Sequence, residues 1–142
     1  MQFKKIKKED TYDLRRKVLR KGIDLPYVFE GDDLSDALHY AVEKDGKYIA
    51  VVSFVPFPFK MDSSNEIQLR GMAVDPEYQG MGVGNFLVKQ SELALKNLAY
   101  DFVWCNARKS AYDFYLKLGF ERRNDEFVVD QIGIHDRMFK TI

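Results

Sequence analysis

Residues 79–84 read Gln79-Gly80-Met81-Gly82-Val83-Gly84, between a strand-like run, Gln68 to Val74, and a helical run that begins near Asn85. Glycines at alternate positions remove the Cβ atoms that would shield the backbone, so successive N–H groups can converge on one point. A helix starting there adds about half a positive charge at the same point. Such a junction suits a phosphate or pyrophosphate group.

The residues that follow exclude two phosphate loops. A nucleotide P-loop ends Gly-Lys-Ser/Thr, whereas this chain continues Gly84-Asn85-Phe86. A dinucleotide fingerprint places glycine where Asn85 stands and an acid at the end of the next strand, which here ends Trp104-Cys105-Asn106. A glycine-rich turn without a ligand stays open on the loop alone.

The 142 residues, 46% hydrophobic and 31% charged, suit one domain spanning 1–142 with its own core. Lys plus Arg and Asp plus Glu balance at 22 each, so no net field draws the chain to nucleic acid or anionic lipid. The cluster Lys4, Lys5, Lys7 and Lys8 is followed at once by Glu9 and Asp10, and reads as the solvated side of a first strand. No run approaches the ~20 apolar residues of a membrane span, and the Met1 end has no apolar signal core. The lone Cys105 rules out an internal disulfide and suits a reducing compartment. The expectation is a soluble, cytoplasmic protein without membrane or nucleic-acid partners. No His, Cys or Asp cluster has metal-ligand spacing, so no metal is expected.

Patterning predicts strands over Met1–Ile6, Leu38–Glu43, Tyr48–Val55, Glu66–Val74, Phe102–Cys105, Phe120–Val129 and Arg137–Lys140. Helices are predicted after an Asp10 or Thr11 cap and ending at Gly22, over Asn85–Asn97, and over Ser110–Leu118 ahead of Gly119. Residues 23–35, broken by Pro26 and Gly31, read as a long functional loop over a pocket. The layout is α+β, with a mixed, mostly antiparallel sheet of six to seven strands flanked by helices.

A second constellation specifies the loop further. Asn106-Ala107 follows the Phe102–Cys105 strand, and Phe114-Tyr115 then Gly119-Phe120 follow in turn. With Met72-Ala73-Val74-Asp75-Pro76-Glu77-Tyr78 and Gln79-x-x-Gly82-x-Gly84, this order resembles the GCN5-related N-acetyltransferase (GNAT) family across about Gln68 to Phe120. The resemblance implies the GNAT fold, splayed between the fourth and fifth strands, and acetyl-coenzyme A as donor. It implies that Gln79, Gly80, Met81, Gly82, Val83, Gly84 and Asn85 receive the pyrophosphate. It also implies that Met72, Ala73 and Val74 offer open backbone to the pantetheine arm, with Asn106, Phe114 and Tyr115 beside it.

Acetyl transfer to an amine requires a neutral amine, a stabilised oxyanion and a protonated leaving thiolate. A backbone N–H near Met72 or Ala73 is the oxyanion donor that the resemblance implies. Tyr115 holds the family's position for the acid, and a phenol with pKa near ~10 is protonated at neutral pH; its plainer reading is packing beside Phe114. Many relatives place a glutamate base where this chain has Gln68, which cannot take a proton. Glu66, on the same strand face, and His135, ahead of the last strand, are the remaining base candidates. An amine of low pKa would need no base. His39 and Cys105 read as structural.

The acceptor is less defined. The loop holds Asp24, Glu30, Asp32, Asp33 and Asp36 with Tyr27 and Phe29, which would suit a cationic amine. A narrower likeness to small bacterial-type relatives covers Leu14-Arg15-Arg16-Lys17-Val18-Leu19-Arg20, Gln68 to Ala73, Trp104 to Arg108, and Ile132-Gly133 ahead of His135. It implies that Arg15, Arg70, Arg108 and His135 share an acceptor pocket, which would favour an anionic acceptor. The two readings conflict. The function expected is N-acetylation of a primary amine of a small-molecule or peptide acceptor, with a homodimer allowed. The alternative is a non-catalytic acetyl-coenzyme A-binding module, for which Gln68 is the best argument.

Overall fold

The computed structural model describes residues 1–60 and 65–142. Its strands are β1 (Gln2–Lys5), β2 (Leu38–Lys44), β3 (Lys47–Val55), β4 (Glu66–Val74), β5 (Phe102–Arg108), β6 (Glu121–Arg122), β7 (Phe127–Val129) and β8 (Gly133–Thr141). They form one sheet in the order β1-β2-β3-β4-β5-β8-β6, with β7 also on β8. All neighbours are antiparallel except β4 and β5, which run parallel. Helix α2 (Val83–Asn97) makes the crossover between them, as a parallel pair requires.

The chain departs from the sequence expectation in three places. Phe120–Val129 is not one strand: Asn124 takes φ 62, and the buried Asp136 carboxylate accepts the Asn124 and Asp125 N–H groups, splitting it into β6 and β7. The last strand begins at Gly133, so His135 lies within β8 rather than ahead of it. The first helical segment opens earlier, because Asp10 caps backward, accepting the Lys7 N–H at 3.1 Å. It is a 3-10 turn (Lys8–Thr11), a short α1 (Tyr12–Leu14) and a π-turn (Arg15–Leu19).

Two layers cover the sheet. On one face α2 and α3 (Tyr112–Lys117) bury the main core, which includes Val52, Ile67, Leu69, Leu87, Val103, Cys105 and Met138. On the other, the first helical segment covers Leu14, Ala41, Val51 and Ala73. Strict alternation would send residues 67, 69, 71 and 73 of β4 to the same face. A bulge prevents this: Val51 pairs with Ala73 and Ser53 with Arg70, so Gly71 and Met72 together oppose Val52. Ala73 thereby turns to the first helical segment, while Met72 and Val74 pack toward α2.

Gly71 sits at φ +61, and a Cβ there would lie 2.9 Å from both Arg15 Nε and the Phe29 ring. The crowding comes from Arg15, which is fully buried. It bonds both oxygens of Asp32, at 2.7 and 3.0 Å, and also Tyr27 O at 3.0 Å and Ser53 Oγ at 2.8 Å. Ser53 Oγ meets His39 Nδ1 at 2.6 Å, and His39 Nε2 lies 3.2 Å from Asp32 O. A carbonyl oxygen only accepts, so Nε2 carries the proton and Ser53 donates to Nδ1.

Burial alone would raise the Asp32 carboxyl, but the Arg15 hydrogen bonds, the Phe29 N–H and the Arg15 charge bring it below the ordinary value. Burial lowers His39 and outweighs the opposing pull of the Asp32 carbonyl. In both cases the unfolded chain holds its proton to higher pH. Stability is therefore full above the unfolded pKa values, ~6.5 for His and ~3.9 for Asp, and falls on acidification. Denaturant unfolding should show a decline starting below pH ~6.5 that a His39→Gln variant lacks, and a steeper one below ~3.9. A flat profile from pH 7 to 4 in the parent chain would contradict the neutral buried histidine.

Removing one partner of a buried ion pair leaves the other charge uncompensated. Arg15→Met should cost about 3–5 kcal/mol, and adding Asp32→Leu should restore much of it. Equal urea midpoints for Arg15→Met and the parent chain would remove this pair as the anchor.

Candidate active site

β4 and β5 pair only at Glu66 with Phe102, Ile67 with Val103 and Gln68 with Trp104. Beyond that point each strand keeps its outer neighbour: β4 stays on β3 as far as Val74, and β5 on β8 as far as Arg108. The inner edge of β4 from Leu69 onward therefore has no strand partner among the described residues. Backbone N–H and C=O groups on such an edge want partners. The splay falls between the fourth and fifth strands, as expected.

The glycine loop stands at the open end of this gap. Gly80 and Gly82 both take φ +79, and no heavy atom lies within 4 Å of the place a Cβ would occupy on either. Gly82 is the N-cap of α2, with no side-chain cap and no acid in the first turn. The first helical bond runs from Phe86 N to Gly82 O at 3.0 Å. The N–H groups of Val83, Gly84 and Asn85 thus have no acceptor within the helix, and the dipole favours an anion there. Val83 is buried and seats the helix in the core, while Met81 is exposed. Gln79 Nε2 donates to Val74 O at 2.9 Å, tying the loop to the end of β4.

Gly84 serves packing rather than a special φ. A Cβ there would meet Met72 Cε at 3.0 Å and Phe114 Cε1 at 3.1 Å, so α2, β4 and α3 meet at this one point. Tyr115 follows Phe114, its ring edge-on to Phe114 at 5.0 Å and to Phe120 at 5.3 Å. Burial, with a smaller contribution from Cys105, lifts its phenol well above the ordinary value, so it stays protonated at neutral pH. Its hydroxyl makes no hydrogen bond among the described residues. Cys105 is buried, and burial pushes its thiol up, away from reactivity.

The face of β5 that points away from α2 is covered at its start and open at its end. Residues 56–60 cover it through Trp104 Nε1 to Phe57 O, at 2.8 Å, and through the Phe59 ring against Phe102 and Trp104. Asn106 beyond is exposed, and Arg108 pairs across the ladder with His135. The His135 ring is buried, stacked on Phe127 at 5.7 Å, with Nδ1 2.9 Å from Gly133 O. The carbonyl can only accept, so Nδ1 donates to it, and in the neutral imidazole Nε2 is then the acceptor. Nε2 makes no hydrogen bond among the described residues.

Glu66 lies elsewhere. It sits where β4 and β5 are still paired, and its Oε2 accepts the N–H groups of Phe59 and Lys60, each at 2.8 Å. The structure does not bring this carboxylate to the open part of the gap. Arg15 is likewise committed to Asp32 rather than presented to a ligand.

Arg70 and Arg108 do converge. Arg70 donates to Glu30 O at 2.7 Å, Arg108 to Leu19 O at 3.0 Å, and both are half-buried. Arg20 joins them, donating to Pro26 O and Leu19 O. The guanidinium carbons of Arg15, Arg20 and Arg70 lie 4.1, 5.1 and 5.4 Å from the Phe29 ring centroid. Arg20 has no site role in the sequence reading, and Phe29 enters it only as part of the acidic loop. The π-turn that brings Arg20 beside Arg15 leaves no mark in helical periodicity.

A splayed parallel pair with a glycine-capped helix N-terminus at its mouth defines the class: an acetyl-coenzyme A-dependent N-acetyltransferase. The model of the acetyltransferase (GNAT) family matches residues 8–120, and the chain belongs to that family. It is 33% identical to YitI of Bacillus subtilis (strain 168), an uncharacterized N-acetyltransferase, over 100% of this chain and 97% of that protein. Escherichia coli ElaA shares the fold with a TM-score of 0.83 at 16% identity, covering 98% of each chain. An aminoglycoside 6′-N-acetyltransferase in complex with coenzyme A has a TM-score of 0.78 at 13% identity, covering 99% of this chain and 97% of that one. Among the described residues, no helix is long and apolar enough to cross a membrane, and no group of His, Cys, Asp or Glu is placed to hold a metal ion.

Proposed function

We propose that this chain transfers the acetyl group of acetyl-coenzyme A to the primary amine of a small or amino-acid-like acceptor, by direct attack in a ternary complex. The observation that carries this reading is the unpartnered inner edge of β4, running straight to an uncapped, acid-free helix N-terminus. An amide-bearing arm ending in a pyrophosphate matches both. The N–H groups from Met81 to Asn85 hold the pyrophosphate. The β4 edge at Met72, Ala73 and Val74 takes the arm's amides as an added strand would, with Asn106 on the opposite side. Phe114 and Tyr115 lie beneath.

Acetyl-coenzyme A supplies a thioester, an acyl group activated toward amines. A backbone N–H at Met72 or Ala73 meets the negative charge that develops on the carbonyl oxygen. As the new C–N bond forms, His135 Nε2 takes a proton from the amine nitrogen. As the C–S bond breaks, the Tyr115 hydroxyl gives its proton to the departing sulfur. One proton leaves nitrogen and one arrives on sulfur, so the products are an amide and a thiol. Both side chains return to their starting states by exchange with solvent.

Replacing Tyr115 with Phe removes a hydroxyl that makes no hydrogen bond among the described residues, so the fold should persist. Turnover should fall by roughly 10²-fold or more while coenzyme A affinity is kept. Unchanged thiol release would remove Tyr115 as the acid.

Gly84→Val should force Met72 and Phe114 apart. Coenzyme A at 100 times its dissociation constant should add about 2.7 kcal/mol to the parent chain, seen as a rise of several degrees in Tm. The variant should lose that rise. Binding by the parent chain with no thiol release for any amine would favour the non-catalytic alternative.

A further inference from the structure

We propose that Arg20 and Arg70, which lie against the Phe29 ring, and Arg108, which shares the Leu19 carbonyl with Arg20, form an anion-binding subsite that selects acceptor amines carrying a carboxylate or phosphate group. The proposal rests on the acetyltransferase reading and names its substrate class.

Arg70 lies on β4 two residues beyond the last pairing with β5, and Arg108 ends β5, so they stand on the two arms of the splay. Both point to the face opposite α2, where the first helical segment and residues 23–37 close over the gap. Arg20, at the end of the π-turn, lies between them. Arg20 Nη1 and Arg108 Nη2 both donate to the single carbonyl of Leu19, at 3.2 and 3.0 Å. Two like-charged nitrogens therefore sit within about 6 Å of each other, a repulsion that an anion between them would relieve.

The protein supplies no such anion. Among the described residues every hydrogen-bond acceptor of these three side chains is a backbone carbonyl, and none of the three forms an ion pair. Asp32, the one buried carboxylate nearby, is spent on Arg15 through both of its oxygens. Asp32 and, less, the exposed Glu30 carboxylate act on Arg70 only through space, and Arg15 opposes them. Burial, then repulsion from Arg108, Arg15 and Arg70, lowers the Arg20 pKa. A guanidinium has five N–H donors, and Arg70 and Arg108 each use one of them on a carbonyl. Forks remain free for an oxyanion, the geometry in which arginine binds carboxylate or phosphate most strongly.

The face also explains orientation. His135, directly across the ladder from Arg108, presents Nε2 on the same side. An acceptor held by its anionic group at the arginines would have its amine directed toward the splay and within range of that base.

The test compares primary amines of matched size that end in a carboxylate, a phosphate, a carboxamide or an ammonium group, each with acetyl-coenzyme A. The acidic members should exceed the amide and ammonium members by about tenfold or more in kcat/KM. Whichever acid ranks first, carboxylate or phosphate, identifies the source of the anion. Separately, succinate and inorganic phosphate are titrated by calorimetry into the coenzyme A-saturated protein. Arg20→Gln, Arg70→Gln and Arg108→Gln should each weaken the better anion about tenfold, with coenzyme A affinity and the unfolding midpoint unchanged.

Preference for the amide or ammonium amine would overturn the proposal. So would variants that lose coenzyme A affinity instead, since the arginines would then hold the donor's phosphates. Succinate or phosphate binding that depends on these arginines, in a chain that does not bind coenzyme A, would sink the acetyltransferase mechanism and leave the anion subsite standing.

Discussion

The Arg15–Asp32 pair is the contact on which the acceptor side of the molecule depends. Taking two charges out of water is costly, and good geometry with additional hydrogen bonds offsets it. Here both Asp32 oxygens are used and Arg15 adds Tyr27 O and Ser53 Oγ, while its buried Nε has no hydrogen-bond partner among the described residues. Those partners come from residues 23–37 and from β3, so one guanidinium fastens both of them to the first helical segment. The loop it holds turns its backbone carbonyls at Pro26 and Glu30 toward Arg20 and Arg70. A loop rich in acids by sequence thus offers neutral carbonyls to its neighbours. Its other carboxylates are spent or exposed: Asp33 pairs with Lys8, while Asp24, Glu30 and Asp36 face solvent.

The same guanidinium explains the bulge. Arg15 Nε and Phe29 press against β4 at Gly71, and only a residue without Cβ fits there at φ +61. The extra residue turns Ala73 toward the first helical segment and leaves Met72 beside Gly84 and Phe114. One strand thereby serves two layers, its edge open on the donor side and Arg70 on the acceptor side. Donor and acceptor can then meet from opposite faces of the gap, as direct transfer requires.

What was legible in the sequence is what short spacing encodes. The glycine loop, the strand before it and the helix after it follow from residues close in the chain, and the splay between the fourth and fifth strands from the family resemblance that those residues carry. The helix start moved from Asn85 to Val83 because Gly82 itself takes the left-handed cap. Gly71 inside a strand pattern was a readable sign of a bulge that the alternation argument passed over. Pairings between distant charges were not legible. Nothing in the order of residues says that Arg15 will meet Asp32 and Ser53, or that Glu66 will be absorbed by the N–H groups of Phe59 and Lys60. Of the arginines in the predicted first helix, the sequence reading sends Arg15 to the pocket, yet Arg15 is neutralised in the core and Arg20 is not.

On the proposed anion subsite, that difference decides between an acidic loop and an arginine-rich pocket. Counting charges along the chain gives balance, and counting within residues 23–36 gives an excess of acid. Neither count describes the field at the splay, because a charge that is paired and buried contributes little beyond its partner. Remove Arg15 with Asp32 and Lys8 with Asp33 as neutral pairs, and what remains is Arg20 and Arg70 at the Phe29 ring and Arg108 beside Arg20, with the exposed Glu30 facing Arg70 only through space. A cationic acceptor would have to enter against three half-buried guanidiniums, whereas an anionic one replaces carbonyl dipoles with a full counter-charge in a partly desolvated place, where that charge acts most strongly. The loop's acids hold the pocket together; the arginines they leave unpaired give it its sign.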